Sequence, residues 1–266
     1  MSEASLRRAL VRYSRATHAA GWVANHDGNL SVRVGDDRFV CTPTSYSKAD
    51  VDADALVVVG ADGRKIAGRE RAFSELDLHL AVYRARPDAN AVVHAHPPYA
   101  TAFGVSGRPV PHPFLPEAVV SLGAELPTVP LAAPGEAAVA ALRPFVRRGD
   151  AVLIAGNGAL TWGPDLETAY LRMELVEHLC RIAHAAAALG GPARLPADMV
   201  ASLVARRRKG GLAAPEEGQP AAAPSAPAPA DDPASRAAAR ALQGIPAADP
   251  ALAARLAAEI AAALRR

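Results

Sequence analysis

The apolar positions change period along the chain, and each change marks an element. Leu6, Leu10, Val11 and Tyr13 recur at helical spacing, which predicts an amphipathic helix over residues 3–21, stopped by Gly21. Residues 25–29 carry turn chemistry. Leu30-Ser31-Val32-Arg33-Val34 then alternates as a strand, Gly35-Asp36-Asp37 turns the chain back, and residues 38–42 return as a second strand. A third strand is expected over 55–59, followed by a turn at 61–63. Ser74-Glu75 opens a helix with Leu76, Leu78, Leu80, Ala81 and Tyr83 behind it, with Ser74 as its N-cap and its free N–H groups able to hold an anion. Residues 99–105 and 135–147 read as helices. Residues 128–131 read as a short strand that Pro130 confines to a sheet edge. Residues 151–155 form an apolar strand running into Gly156-Asn157-Gly158. A long helix over 165–189 ends at Gly190-Gly191, and a further helix is expected over 196–208.

Beyond residue 209 the periodicity is lost. Residues 210–233 are rich in Pro, Ala, Gly, Glu and Ser and are expected to be a flexible linker. Residues 234–266 form an Ala-rich tail, weakly helical at 234–243 and strongly so at 249–266. There Asp249 caps, Pro250 takes the first turn, and Leu252, Leu256, Ile260 and Leu264 step by four along one stripe. The expected organisation is therefore a domain over 1–209, a linker over 210–233 and a tail over 234–266.

The 266 residues are half apolar, enough to bury a sizeable core. A net charge of +2, with no basic stripe interleaved with aromatics, argues against nucleic acid. No apolar run is long and uncharged enough to span a bilayer, the first helix is polar and contains Arg, and Cys41 and Cys180 sit in apolar segments as reduced core thiols; a cytoplasmic protein is expected. The chain has three lysines. Lys48 and Lys209 lie in polar surroundings and Lys65 in a turn, whereas a Schiff-base lysine needs an apolar pocket. The run Arg206-Arg207-Arg208-Lys209 reads as a solvated helix end, where cations suit the dipole.

The candidate chemistry centres on Ala91-Val92-Val93-His94-Ala95-His96-Pro97-Pro98. Ala91, Val92 and Val93 make a buried strand that the two prolines end. Side chains alternate across a strand, so His94 and His96 leave the same face and supply half of a divalent-metal site. The ordinary alternative is two unrelated polar residues at a strand end.

Five segments then fall in the order and spacing of a known family. They are Gly28-Asn29-Leu30-Ser31-Val32-Arg33, Thr42-Pro43-Thr44, Ser74-Glu75, Val93-His94-Ala95-His96, and the strand before Gly156-Asn157-Gly158. Over residues 5–190 the chain resembles the class II aldolase/adducin family, whose best-known enzyme type is fuculose-phosphate aldolase. The resemblance implies an α/β fold: a three-layer αβα arrangement with a central, largely antiparallel sheet between helices. It implies that His94 and His96 are metal ligands. It also implies that Glu75 binds the metal at rest and serves as acid/base in turnover, and that Asn29, Thr44, Ser45 and Ser74 cradle a substrate phosphate. The chain departs from the family pattern at Ser45, usually Gly; at Phe73, often Ser; and at Asn157, where the family's third ligand is His. Three completions of the site stay open. The Asn157 amide oxygen joins the ligand set, with zinc or the harder manganese as the ion; or His26, His112 or His178 replaces the imidazole; or the site is metal-free, as in the adducin branch.

Breaking a C–C bond beside a carbonyl leaves an enediolate, which a divalent ion stabilises as a Lewis acid while a carboxylate moves the proton. The function expected from the resemblance is a metal-dependent aldolase-type lyase acting on a small phosphorylated hydroxy-carbonyl compound. A decarboxylase or epimerase with the same site and a non-catalytic adducin-like scaffold are the alternatives. Glu117 is a further acid/base candidate, although a helix-start carboxylate is the simpler reading. The resemblance implies a homo-oligomer, a tetramer. The 249–266 stripe resembles peptides that dock cargo enzymes on bacterial microcompartment shell proteins, which would place the protein in the microcompartment lumen; docking onto its own domain, self-association and plain disorder are the alternatives.

Overall fold

A computed structural model describes residues 2–218. The expected linker beyond 218 and the tail, including the stripe at 249–266, lie outside the described residues. Eight strands form one sheet: β1 Asn29–Gly35, β2 Arg38–Cys41, β3 Val57–Gly60, β4 Lys65–Ala67, β5 Ala91–Ala95, β6 Thr128–Val129, β7 Ala151–Ile154 and β8 Ala159–Gly163. Their spatial order is β4-β3-β2-β1-β5-β8-β7-β6. Neighbours are antiparallel except β6 and β7, which run parallel at the edge where Pro130 requires β6 to be.

The helices are α1 Glu3–Ala19, α2 Leu76–Ala85, α3 Pro98–Ser106, α4 Pro116–Leu122, α5 Glu136–Val146, α6 Leu166–Ala187 and α7 Ala197–Lys209. Two apolar clusters lie on opposite faces of the sheet. Leu30, Val32 and Val93 meet Leu10, Met173 and Val176 from α1 and α6 on one face. Val57, Val92 and Leu160 meet Leu80, Val82 and Leu142 from α2 and α5 on the other. The alternation of β1 and β5 thus feeds both cores, and the result is the expected αβα layering. Each such fully buried Val or Leu contributes about 1.5–3 kcal/mol.

Several elements differ from the sequence reading. Helix α2 begins at Leu76, with Glu75 at the N-cap position and no side-chain cap bond, so Ser74 lies before the cap and does not fill it. β4 and β8 lie outside the elements that the pattern predicts; β8 is a buried five-residue run on the far side of the Gly-Asn-Gly turn. Lys48 lies in the expected polar surroundings, donating to the Tyr46 and His26 carbonyls, but is only 1% exposed, and burial lowers its pKa against the opposing charge of Asp27. Arg207 is fully buried rather than solvated. It donates to Asp150, Glu217 and the carbonyls of Val120 and Ser121. Glu217 and the buried Ala214 place packed contacts beyond residue 209, the expected start of the linker.

Candidate functional site

Strand register assembles the site. In the β1–β5 pair Asn29 stands directly opposite His94, and in the β5–β8 pair Ala95 stands opposite Ala159. The first residue of β1 and the end of β5 therefore meet at one edge of the same two strands. The β7–β8 turn brings Asn157 beside them, and the start of α2 supplies Glu75. Gly158 makes the turn possible. Its φ is +67°, and a Cβ there would sit 2.2 Å from the Ala95 carbonyl oxygen and 2.6 Å from His96 Cδ2.

These side chains form one continuous network. Asn29 Nδ2 donates to Glu75 Oε2 at 2.9 Å, and Asn157 Nδ2 donates to Glu75 Oε1 at 2.6 Å. His94 Nε2 lies 3.3 Å from Glu75 Oε2, and His96 Nε2 lies 2.9 Å from Asn157 Oδ1. The two imidazoles stand edge to face with centroids 5.0 Å apart. The far nitrogen of each ring is also held: His94 Nδ1 donates to the Ala159 carbonyl and His96 Nδ1 to Asp27 Oδ2, both at 2.9 Å. His94 Nε2 and Asn29 Oδ1 are buried with no hydrogen-bond partner.

Burial would raise the Glu75 pKa. The close approach and charge of His94, with the bonds from Asn157 and Asn29, outweigh it and hold the carboxyl well below the usual carboxylate range. Burial would lower the pKa of His94, but the nearby Glu75 carboxylate raises it.

The network thus joins Asn29, Glu75, His94, His96 and Asn157. Thr44, Ser45 and Ser74 stand apart from it. The loop carrying Thr44 and Ser45 is tied to the segment leading to Ser74 through a Pro43–Ala72 bridge and a Thr44 N–H bond to the Arg71 carbonyl at 3.0 Å. Their three hydroxyls make no hydrogen bond among the described residues. Ser45 holds φ +59°, the left-handed region that favours the Gly of the family pattern.

The three substitute histidines do not join the network. His26 is exposed, His112 Nε2 donates to the Gly123 carbonyl, and His178 sits on α6 near Glu117 and Glu174. Glu117 lies in the first turn of α4, the simpler of its two readings. Asp27 was missed. Its only sequence signal is a carboxylate in the turn before Gly28-Asn29. A cavity of about 340 Å³ opens beside Glu75 and Asn157, walled by Val129, Leu131, Ala138 and Ile154. Among the described residues no group of three or more His, Cys, Asp or Glu is arranged as a metal site.

The model of the Class II Aldolase and Adducin N-terminal domain matches residues 8–184, and the chain belongs to that family. It is similar to the 3-oxo-tetronate 4-phosphate decarboxylase of Escherichia coli (strain K12), at 32% identity over 68% of this chain and 86% of the relative. It is also similar to the 5-deoxy-D-ribulose 1-phosphate aldolase of Bacillus thuringiensis serovar kurstaki, at 28% identity over 74% and 92%. Among solved structures, YgbL from Klebsiella pneumoniae, described as a putative aldolase/epimerase/decarboxylase, aligns with a TM-score of 0.71 and 31% identity, covering 76% of this chain and 99% of that one. No described helix is long and apolar enough to cross a membrane.

Proposed function

We propose that the protein is a metal-dependent lyase that breaks a C–C bond next to the carbonyl of a small phosphorylated hydroxy-carbonyl compound. The observation that carries the reading is the single network joining two imidazoles, a carboxylate and an amide. Its chemistry fits a divalent ion. Each Nδ1 is engaged by an acceptor, which leaves each Nε2 as the ligand nitrogen. His94 Nε2 is buried and has no hydrogen-bond partner. The 2.9 and 3.3 Å separations suit neighbouring ligands: two atoms bound at 2.0–2.1 Å, at angles from right-angled to tetrahedral, lie about 2.8–3.4 Å apart. Glu75, His94, His96 and Asn157 would hold the ion, zinc first and manganese as the harder alternative. A divalent ion there would supply a Lewis acid for charge building on a carbonyl oxygen, contributing several kcal/mol.

The chain's own groups do the rest. Glu75, the carboxylate at the centre of the network, takes the proton from the substrate hydroxyl beside the breaking bond and returns a proton to carbon afterwards. Asn29 and Asn157 each donate to one of its oxygens and fix its direction. Thr44, Ser45 and Ser74 present hydroxyls to the phosphate, and Asn29 contributes from the network. The apolar cavity takes the remaining carbon skeleton away from water.

Decarboxylation is the second reading, favoured by the relative at 32% identity. Both reactions send the electrons of the broken bond onto the same carbonyl oxygen and differ in the leaving fragment, an aldehyde or CO2. The test is to incubate the protein with 2-ketose 1-phosphates and with 3-oxo-acid 4-phosphates, following aldehyde and CO2 release before and after chelation. Product that disappears with chelator and returns with zinc or manganese supports the reading. Full turnover by the chelated protein, or by His94→Ala or His96→Ala, overturns it.

The same reading extends to a cytoplasmic homotetramer whose 249–266 stripe docks on a microcompartment shell protein. Its support is the spacing of Leu252, Leu256, Ile260 and Leu264, since a short helix with a narrow apolar face is marginal alone and is stabilised by a partner surface.

A further inference from the structure

Asp27 belongs neither to the ligand set nor to the groups that face substrate. We propose that Asp27 is a positioning residue that fixes His96 as its Nδ1–H tautomer and so makes Nε2 a cation-binding atom; the inference rests on the metal-dependent reading above. Asp27 Oδ2 accepts from His96 Nδ1 at 2.9 Å. Its other oxygen is committed to the Ala24 N–H at 2.5 Å, and its own N–H donates to the Ala24 carbonyl at 3.0 Å. Both oxygens are thus used, one to hold the turn and one to hold the ring.

The turn itself is pinned on three sides. The His96 N–H donates to the Trp22 carbonyl at 2.8 Å, which ties the residue after β5 to the start of the turn. Gly28, at φ +68°, lies so close to its neighbours that a Cβ would fall 2.5 Å from Val23 Cγ1 and 3.1 Å from the His94 carbonyl oxygen. The buried Lys48 donates to the Tyr46 carbonyl at 2.8 Å and the His26 carbonyl at 3.4 Å, joining the turn to the loop that carries Thr44 and Ser45. The turn and its two hydrogen bonds therefore hold Asp27 against the imidazole.

The two rings are not held alike. His94 has a neutral carbonyl behind it, whereas His96 has a carboxylate. A carboxylate acceptor orients a ligand imidazole and raises the basicity of its far nitrogen more than a neutral acceptor does. The need for this is local. The residue next to His96 in the network is Asn157, whose amide oxygen is a weaker ligand than an imidazole, so a larger share of affinity falls on His96.

Zinc alone is the probe, and its affinity for the full chain is measured by competition with a chromogenic chelator. In Asp27→Asn the amide oxygen can keep the Ala24 N–H while the NH2 faces Nδ1, which favours the opposite tautomer and spends Nε2 on a proton. The expected result is about 10- to 100-fold weaker zinc binding, with the thermal midpoint of the zinc-free protein little changed. Wild-type zinc affinity in folded Asp27→Asn overturns the proposal while leaving the metal reading intact. A wild-type protein that binds no zinc, or a His96→Ala variant that binds it as tightly as wild type, overturns the metal reading itself. A measurement on the unmutated protein covers a variant that fails to fold. Long-range 15N–1H spectra of the zinc-loaded chain should show His96 with its proton on Nδ1, and a proton on Nε2 overturns the proposal.

Discussion

Replacing Asp150 by Asn should cost more stability than any surface change, because one buried carboxylate serves three guanidinium groups. Asp150 is fully buried. Its Oδ1 accepts from Arg86 at 2.7 Å, and its Oδ2 accepts from Arg207 at 2.5 Å and from Arg172 at 2.9 Å. The side chains of these arginines are 3%, 0% and 9% exposed. Arg86 keeps a second carboxylate in Asp88, and Arg207 keeps Glu217. Among the described residues Arg172 keeps only the Trp162 carbonyl. Asn offers one acceptor where both oxygens are used, and its NH2 would face a guanidinium on the other side. Removing one partner of a buried ion pair costs about 3–5 kcal/mol. In a domain of this size that lowers the thermal midpoint by about 6–20 °C. Urea denaturation followed by far-ultraviolet circular dichroism, at matched protein concentration, reads the change directly. The double variant Asp150→Asn/Arg172→Leu removes the most isolated cation as well, so its loss should fall short of the sum of the single losses by more than about 1 kcal/mol. A single-variant loss below about 1 kcal/mol, or strict additivity, would refute the reasoning.

Gly158→Ala should abolish zinc binding and turnover, since the added methyl meets the Ala95 carbonyl and the His96 ring; a fully active variant would show that the turn can move. His79 is buried against Ser31, and burial pushes its pKa down to about 3. The unfolded chain takes up that proton near pH 6.5 and the folded chain does not. The contribution is therefore complete above pH 6.5 and lost as pH falls towards 3, by up to about 1.4 kcal/mol per pH unit. Urea midpoints measured from pH 7 to 4 should fall more steeply for the wild type than for His79→Gln, and parallel curves would contradict the assignment. Deleting 210–266 should abolish co-purification with shell proteins. The contacts of Ala214 and Glu217 make a cut after residue 218 the cleaner truncation, and it should leave turnover unchanged; loss of turnover would refute a docking-only tail.

What could be read in the chain and what could not divide along contact range. The histidine pair is legible because a strand's period of two decides which side chains share a face. Glu75 and Asn29 came from motif order, but their meeting depends on the register that sets Asn29 opposite His94, and no local pattern carries that. β8 was lost because Gly-Asn-Gly reads equally as the end of a strand or as a hairpin turn. Arg207 and Lys48 were misjudged for a common reason. A charged side chain is taken as solvated unless its partner is known, and partners here lie elsewhere in the chain: Asp150 for Arg207, and, beside the local Tyr46 carbonyl, the His26 carbonyl for Lys48. Asp27 escaped notice on the same ground, since only the folded turn points it at His96.

The central claim is that two imidazoles, a carboxylate and an amide gather around one cation. Anomalous diffraction at the zinc edge from a zinc-soaked crystal tests it most directly. The account predicts one strong peak bonded to His94 Nε2 and His96 Nε2, with Glu75 and Asn157 completing the site. A crystal with no peak there, or with zinc bound elsewhere while the network of Glu75, Asn157 and the two rings stays closed, would contradict it.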